Sequence, residues 1–257
     1  MFEPSLAIAR SHSRLRVISK LTLSLGVLAA GAAIASAQVN SFAGNAQHTN
    51  LYTPAAQNAN KIRWQTSIDT SNSGEFGHYG APLVTAANTV IIPVLISGVG
   101  IQLNAFDGAT GDPKWTVNTD YTFPPHGWLP EYQPCIAGTR LYFQGAGGTV
   151  YFVEDIDTNT PSAPTQVCFY GMSTYQADKA NFDANVFIDT PLTPDSSGNI
   201  YFGFRIPNGQ SAPAPFTTIS GYAKIDSSGN GTYSLVDAMT GDVNISRDIH
   251  NTPINTR

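Results

Sequence analysis

The sequence predicts an all-β chain, a partial β-propeller of about three four-stranded antiparallel blades whose ring is not closed. Three observations predict it. Strand signals return at a long, nearly regular interval. Short β-branched and aromatic runs alternate with Gly-, Asn- and Asp-bearing turns. No segment beyond residue 37 keeps a helical apolar period for three turns. Composition agrees, since only 12% of the 257 residues are charged while 23 are Gly, 17 Pro and 11 Tyr, as in many short strands joined by tight turns.

The chain opens on a leader. Arg10, Arg14, Arg16 and Lys20 form a basic stretch, Leu21–Ile34 is apolar and uncharged, and Ala35-Ser36-Ala37 supplies the small-x-small pattern cut by a signal peptidase. Residues 1–37 are therefore expected to be a Sec-type signal peptide, placing the mature protein from Gln38 in the periplasm or outside the cell. The apolar run reaches roughly 21 Å as a helix, short of the ~30 Å hydrocarbon core, which disfavours a retained anchor. No Cys follows the cut and no second long apolar run occurs, so no membrane attachment is expected after cleavage. The remainder, 38–257, holds nine Lys and Arg against 17 Asp and Glu, a net charge of −8. A surface of that sign repels phosphate backbones, so no nucleic-acid partner is expected.

Residues 38–60 read as an irregular lead-in and 61–68 as a lone outer strand carrying Trp64, the first element of a partial propeller over 61–257. Four segments then share a small or polar residue, a proline and an apolar or small pair: Ala81-Pro82-Leu83-Val84, Gln133-Pro134-Cys135-Ile136, Thr190-Pro191-Leu192-Thr193 and Thr252-Pro253-Ile254-Asn255. The interval between their prolines lengthens only slightly along the chain. Each of the first three leads through a turn into a second strand, then a third and a fourth, giving blades at about 81–118, 133–171 and 189–236 and the start of another at 252–257. In the third unit Asp226, not Asp237, closes the third strand. The step from Asp226 to Pro253 equals the step from Asp107 to Pro134, whereas Asp237 leaves little room for a fourth strand and a return loop.

Gln102-Leu103-Asn104-Ala105-Phe106-Asp107-Gly108-Ala109-Thr110-Gly111-Asp112-Pro113-Lys114-Trp115 follows the pattern apolar-x-Ala-apolar-Asp-x-x-Thr-Gly-x-x-x-Trp. It resembles the repeat of the PQQ-binding-like (quinoprotein dehydrogenase-like) β-propellers. Ser41-Phe42-Ala43-Gly44-Asn45-Ala46-Gln47-His48, followed by Arg63-Trp64, is similar to that family's lead-in. The resemblance covers residues 41–115; the second and third units keep the spacing but lose the Thr-Gly and the Trp. It implies a ring of about six to eight blades. Three blades then imply a truncated or fragmentary chain, or a subunit whose missing blades come from a partner copy, because open sheet faces and edges are an aggregation liability. The motif's own chemistry is structural. Asp107 accepts from turn amides, Thr110 and Gly111 reverse the chain, and Trp115 covers the gap between blades.

Chemistry-bearing residues concentrate in the loops leading into each innermost strand: His78 and Tyr79; His126, Trp128, Glu131 and Tyr132; Asp183, Asn185 and Asp189; His250 and Asn251. In a propeller these loops reach one face near the channel, where His78, His126, Trp128, Glu131, Asp189 and His250 are the candidate ligand-binding residues. The bland reading is that Asn, Asp and His are ordinary turn residues spaced by the repeat. Whether a metal binds is open, and no catalytic residue is assigned. Cys135 and Cys168 fall on the innermost and outermost strands of the second unit, roughly 14 Å apart at the usual strand spacing and beyond the ~7 Å reach of a disulfide. Two buried free thiols are expected. The resemblance would bring PQQ with calcium, held in the family's dehydrogenases over an adjacent-cysteine disulfide, but this chain has no adjacent cysteines. No cofactor is assigned, with PQQ and calcium the alternative. No nucleophile elbow, zinc-helix motif or phosphate loop occurs. The expected function is an exported, non-catalytic propeller presenting a surface to a protein or carbohydrate partner. The alternatives are the N-terminal part of an exported quinoprotein-like oxidoreductase, and a gene remnant without a folded product.

Overall fold

The computed structural model describes residues 39–51, 60–68, 78–96, 99–125, 131–188, 190–207, 212–216 and 220–241. The leader and the segment at 252–257 lie outside them. Three antiparallel sheets follow one another along the chain as a partial β-propeller.

β1 (His78–Tyr79) precedes blade one, which runs as β2 (Leu83–Val84), β3 (Thr89–Ile96), β4 (Gly100–Asp107) and β5 (Pro113–Asn118), each strand paired with the next. β6 (Glu131–Tyr132) leads into blade two, built from β7 (Cys135–Ala137), β8 (Arg140–Gln144), β9 (Thr149–Val153) and β10 (Thr165–Cys168). Two short helices intervene, α1 (Met172–Ala177) and α2 (Lys179–Asn185), then β11 (Phe187–Ile188). Blade three holds β12 (Thr193–Pro194), β13 (Ile200–Arg205), β14 (Ser220–Ile225) and β15 (Gly231–Leu235), with β11 as an extra strand on β13 and α3 (Val236–Thr240) behind. β14 ends at Ile225 and the chain reverses at Asp226, whose side chain accepts from the amides of Ser228 and Asn230, both at 2.9 Å. Asp195 turns β12 into β13 in the same way.

Strand alternation decides how the blades pack. Successive side chains of blade two point to opposite faces. Ile136, Leu141, Phe143 and Val153 join Leu83, Ile91, Leu103, Ala105 and Trp115 of blade one in one cluster. Cys135, Ala137, Tyr142 and Val150 join Ile200, Phe202, Phe204, Ala223 and Ile225 of blade three in another. Blade two is thus buried on both faces, which is why Cys135–Ala137 and Leu141–Gln144 are apolar or enclosed without interruption. The proline anchors are not all in phase. Leu83 and Cys135 pack toward the following blade, whereas Leu192 packs back into the core shared with blade two. A shift of one residue turns a strand over.

Residues 61–68, expected as a lone strand, form none, because no described strand lies alongside to complete a ladder. Trp64 instead lies on the β4–β5 turn. Its Nε1 donates to the Gly108 carbonyl at 3.0 Å, and a Cβ at Gly111, whose φ is 81°, would come within 2.7 Å of the ring. Asp107 accepts from the amides of Ala109 and Thr110 at 2.8 and 3.0 Å, which holds its carboxyl below the usual range. Trp115 is 7% exposed and donates to the Ile156 carbonyl at 2.9 Å, tying blade one to blade two.

Residues 39–48 of the lead-in lie against the inner strands of all three blades. Val39 forms an antiparallel bridge with Val84, with N–O distances of 2.9 and 3.1 Å. The Ile136 amide donates to the Asn40 carbonyl at 2.7 Å, and His48 Nε2 lies 3.3 Å from Thr193 Oγ1.

Candidate functional site

Each blade has two ends. The loop end carries the loops into the innermost strands and the turn between the second and third strands, and the turn end carries the turns joining the first strand to the second and the third to the fourth. At the loop end, backbone pairing sets His78 opposite Glu131 and Tyr79 opposite Tyr132 through the parallel β1–β6 bridge. The side chains of His78 and Glu131, and the whole of His126, Trp128, Asp189 and His250, lie outside the described residues. Asp183 and Asn185, expected in a loop, stand on α2. Asp183 accepts from the Tyr175 hydroxyl at 2.8 Å and pairs with Lys179. Sequence spacing missed this helix because it is seven residues long and no side chain caps it.

The described polar groups at this end join blade to blade. Gln133 is fully buried; its amide group accepts from the Ala81 amide at 2.5 Å and donates to the Ala81 and Pro134 carbonyls at 3.2 and 3.0 Å. The Leu192 amide donates to the Gln133 carbonyl at 3.0 Å, and Gln144 Nε2 to that of Thr190 at 3.2 Å. The Tyr121 hydroxyl reaches the Ile188 carbonyl at 2.9 Å. Asp120 accepts from the Ala146 amide and the Tyr151 hydroxyl, both at 2.9 Å. Burial, followed by the Asp120 contact, pushes the Tyr151 phenol up.

The turn end holds two grooves that flank the Gly138–Thr139 turn of blade two. The first, about 350 Å³, lies between blades one and two, walled by Thr85, Ala86 and the Asp155–Thr158 turn over Ile136. Across it Thr85 Oγ1 donates to Asp157 at 2.5 Å and Lys114 to the Asp157 carbonyl at 2.7 Å. The second, about 420 Å³, lies between blades two and three and is walled by Arg140, Glu154, Ser196–Gly198 and Ser227. Arg140 spans it, pairing with Glu154 at 2.8 Å, donating to the Ser227 carbonyl at 2.8 Å and lying 4.4 Å above the Phe152 ring. Sequence reasoning missed both grooves. Their walls are turn backbone from adjacent units, and the available signal was the recurrence of Asp, Ser and Gly turns at the same phase of each repeat.

Chemically this surface offers hydrogen bonds and an ion pair. Among the described residues no group of three His, Cys, Asp or Glu is placed to hold a metal. Cys135 and Cys168 are free, buried and three strands apart. Burial pushes both thiols up, Cys168 to about 11 and Cys135 further, so both stay protonated at neutral pH. They do not provide the adjacent pair that the quinone site of the resembled dehydrogenases uses. No described helix is long and apolar enough to cross a membrane.

No protein family and no curated protein matches the sequence. Among solved structures the chain is similar to the crystal structure of BamB from Moraxella catarrhalis, at 16% identity and a TM-score of 0.24, over 62% of this chain and 53% of that one. The match therefore spans about half of that chain's length.

Proposed function

We propose that this chain is an exported, non-catalytic β-propeller whose hairpin-turn end is a binding surface for a protein partner, with carbohydrate the competing ligand. The observation that carries the reading is the pair of grooves meeting at Gly138–Thr139, one mostly apolar and one mixed, which make one surface across all three blades. Loops and turns carried on rigid sheets are common sites of recognition. Membership in the PQQ-binding-like propellers and the periplasmic or secreted location belong to the same proposal, resting on the repeat at Gln102–Trp115 and the leader at 1–37.

A photo-crosslinking residue at Thr139, compared with one at the exposed Met239, tests the surface in the native host. A single protein adduct specific to Thr139 supports it. Equal labelling at both positions, or specific retention of the chain on immobilised glycans with no protein adduct, contradicts it. N-terminal sequencing of the exported chain should begin at Gln38. The repeat also favours a second reading, the N-terminal part of an exported quinoprotein-like oxidoreductase. Stoichiometric uptake of PQQ with Ca²⁺ and dye reduction would establish that reading in place of the first.

A further inference from the structure

We propose that residues 39–50 are a displaceable strap across the inner edges of the three blades, and that the edges they cover accept an extended peptide segment of a partner protein, paired with Val84 as Val39 is. The inner strands invite this. β2, β7 and β12 are two, three and two residues long and lie at the inner margin of their sheets, so their outer edges carry backbone groups outside the sheet ladder. The strap meets them in chain order, through Val39 on β2, Asn40 on β7 and His48 on β12. An edge that already takes one extended segment by backbone bonds is the geometry of strand addition.

Among the described residues the strap joins no sheet ladder; its blade contacts include a bridge at Val39, a hydrogen bond from the Ile136 amide to the Asn40 carbonyl and a side-chain contact at His48. Ala43, His48 and Asn50 have φ of 53°, 51° and 53°, a left-handed conformation disfavoured for side chains with a Cβ. Asn40 Oδ1 and Ser41 Oγ are buried with no hydrogen-bond partner among the described residues, a cost that release to water removes. The strap also closes on itself. The Gly44 amide donates to the Ser41 carbonyl and the Asn50 amide to that of Ala43, each at 3.0 Å, and the Asn45 side chain accepts from the amides of Gln47 and Thr49. It can leave the blades as a body and keep these bonds. An integral lead-in would lose its contacts with the blades only when the blades unfold.

The proposal goes beyond the turn-face reading, and its test does not depend on that surface. The probe is a synthetic peptide of residues 38–50, added in trans to the full chain and to a full chain carrying Val39→Cys and Val84→Cys. Val39 and Val84 exchange backbone hydrogen bonds, and such strand neighbours lie within disulfide reach. Binding to the unmodified chain, at least tenfold loss of binding when the pair is oxidised, and recovery on reduction support the strap. Binding unaffected by oxidation, or no binding at millimolar peptide, overturns it. Hydrogen exchange on the unmodified chain gives a second readout. The Val39, Val84 and Ile136 amides should exchange on the order of a hundredfold faster than those of Leu141–Gln144. Equal protection would make the strap part of the core and overturn the proposal.

Discussion

The two interfaces that flank blade two are built from different materials. Between blades one and two the cluster is largely aliphatic, with Leu83, Ile91, Leu103, Leu141 and Val153 sealed by Trp115 and its hydrogen bond to Ile156. Between blades two and three it is far richer in aromatic rings. Phe169, Tyr170, Phe182, Phe204 and Phe216 form a connected set of ring contacts, with centroids 4.6–6.4 Å apart. The first interface lies beside the intact repeat motif. At the second the motif has lost its Trp: Thr165 pairs with Phe152 where Trp115 pairs with Ala105 in blade one. The helical insertion 172–185 and its rings fill the space instead. A degenerate repeat can therefore keep its interval and its blade, provided other residues restore the buried volume.

The contrast is most easily broken at the aromatic side. Phe204→Ala should cost about 3–5 kcal/mol, read by chemical denaturation, because Phe204 is fully buried among Phe169, Phe216 and Tyr233. A cost below about 1 kcal/mol would mean that the cluster is not the seal between blades two and three. Trp115→Phe should cost less, about 1–2 kcal/mol, by losing one buried hydrogen bond and some volume. Hydrogen exchange should then quicken in β2–β5 while β13–β14 stay protected; uniform quickening would contradict separate interfaces.

Acid sharpens the contrast further. Asp107 and Asp226 are held below the usual carboxylate range by turn amides, those of Ala109 and Asn230 foremost. At Asp195 burial works in the opposite direction, and the Asn199 side chain and amide, with the Ser197 amide, outweigh it. A carboxyl whose folded pKa is depressed adds stability above its unfolded value and loses it as pH falls through the folded one. Melting temperature should therefore fall below about pH 4, with the turns of blades one and three opening before blade two. A melting temperature flat down to about pH 2 would contradict this. Arg140→Met should have the smallest effect, no more than about 1 kcal/mol, since the Glu154 pair is partly exposed.

How much was legible follows from which interactions are local. Strands β2–β5, β7–β10 and β12–β15 announce themselves through β-branched and aromatic runs between Asp, Asn and Gly turns, because both signals act within a few residues. The turn at Asp226 is readable from spacing alone. Helices α1 and α2 are not. They are short and uncapped by side chains, and rest on tertiary contacts such as Tyr175 and Phe182 under the aromatic cluster. Trp64 reads as a strand residue because an aromatic in an extended run looks like one; its partner, the Gly108–Gly111 turn, belongs to the next unit and lies far along the sequence. Of the candidate ligand residues only the backbones of His78 and Glu131 lie among the described residues, paired at the loop end. The grooves lie at the other end, made by turns that no residue type singles out.

Both grooves and both buried clusters require blade two to be sandwiched between its neighbours, and a pair of double-mutant cycles tests that most directly. Leu103→Ala with Leu141→Ala joins residues of one cluster, and Leu103→Ala with Phe202→Ala joins residues on opposite sides of blade two. The first pair should show a coupling of about 0.5–3 kcal/mol and the second should be additive within about 0.5 kcal/mol. Additivity in the first with coupling in the second would contradict the sandwich.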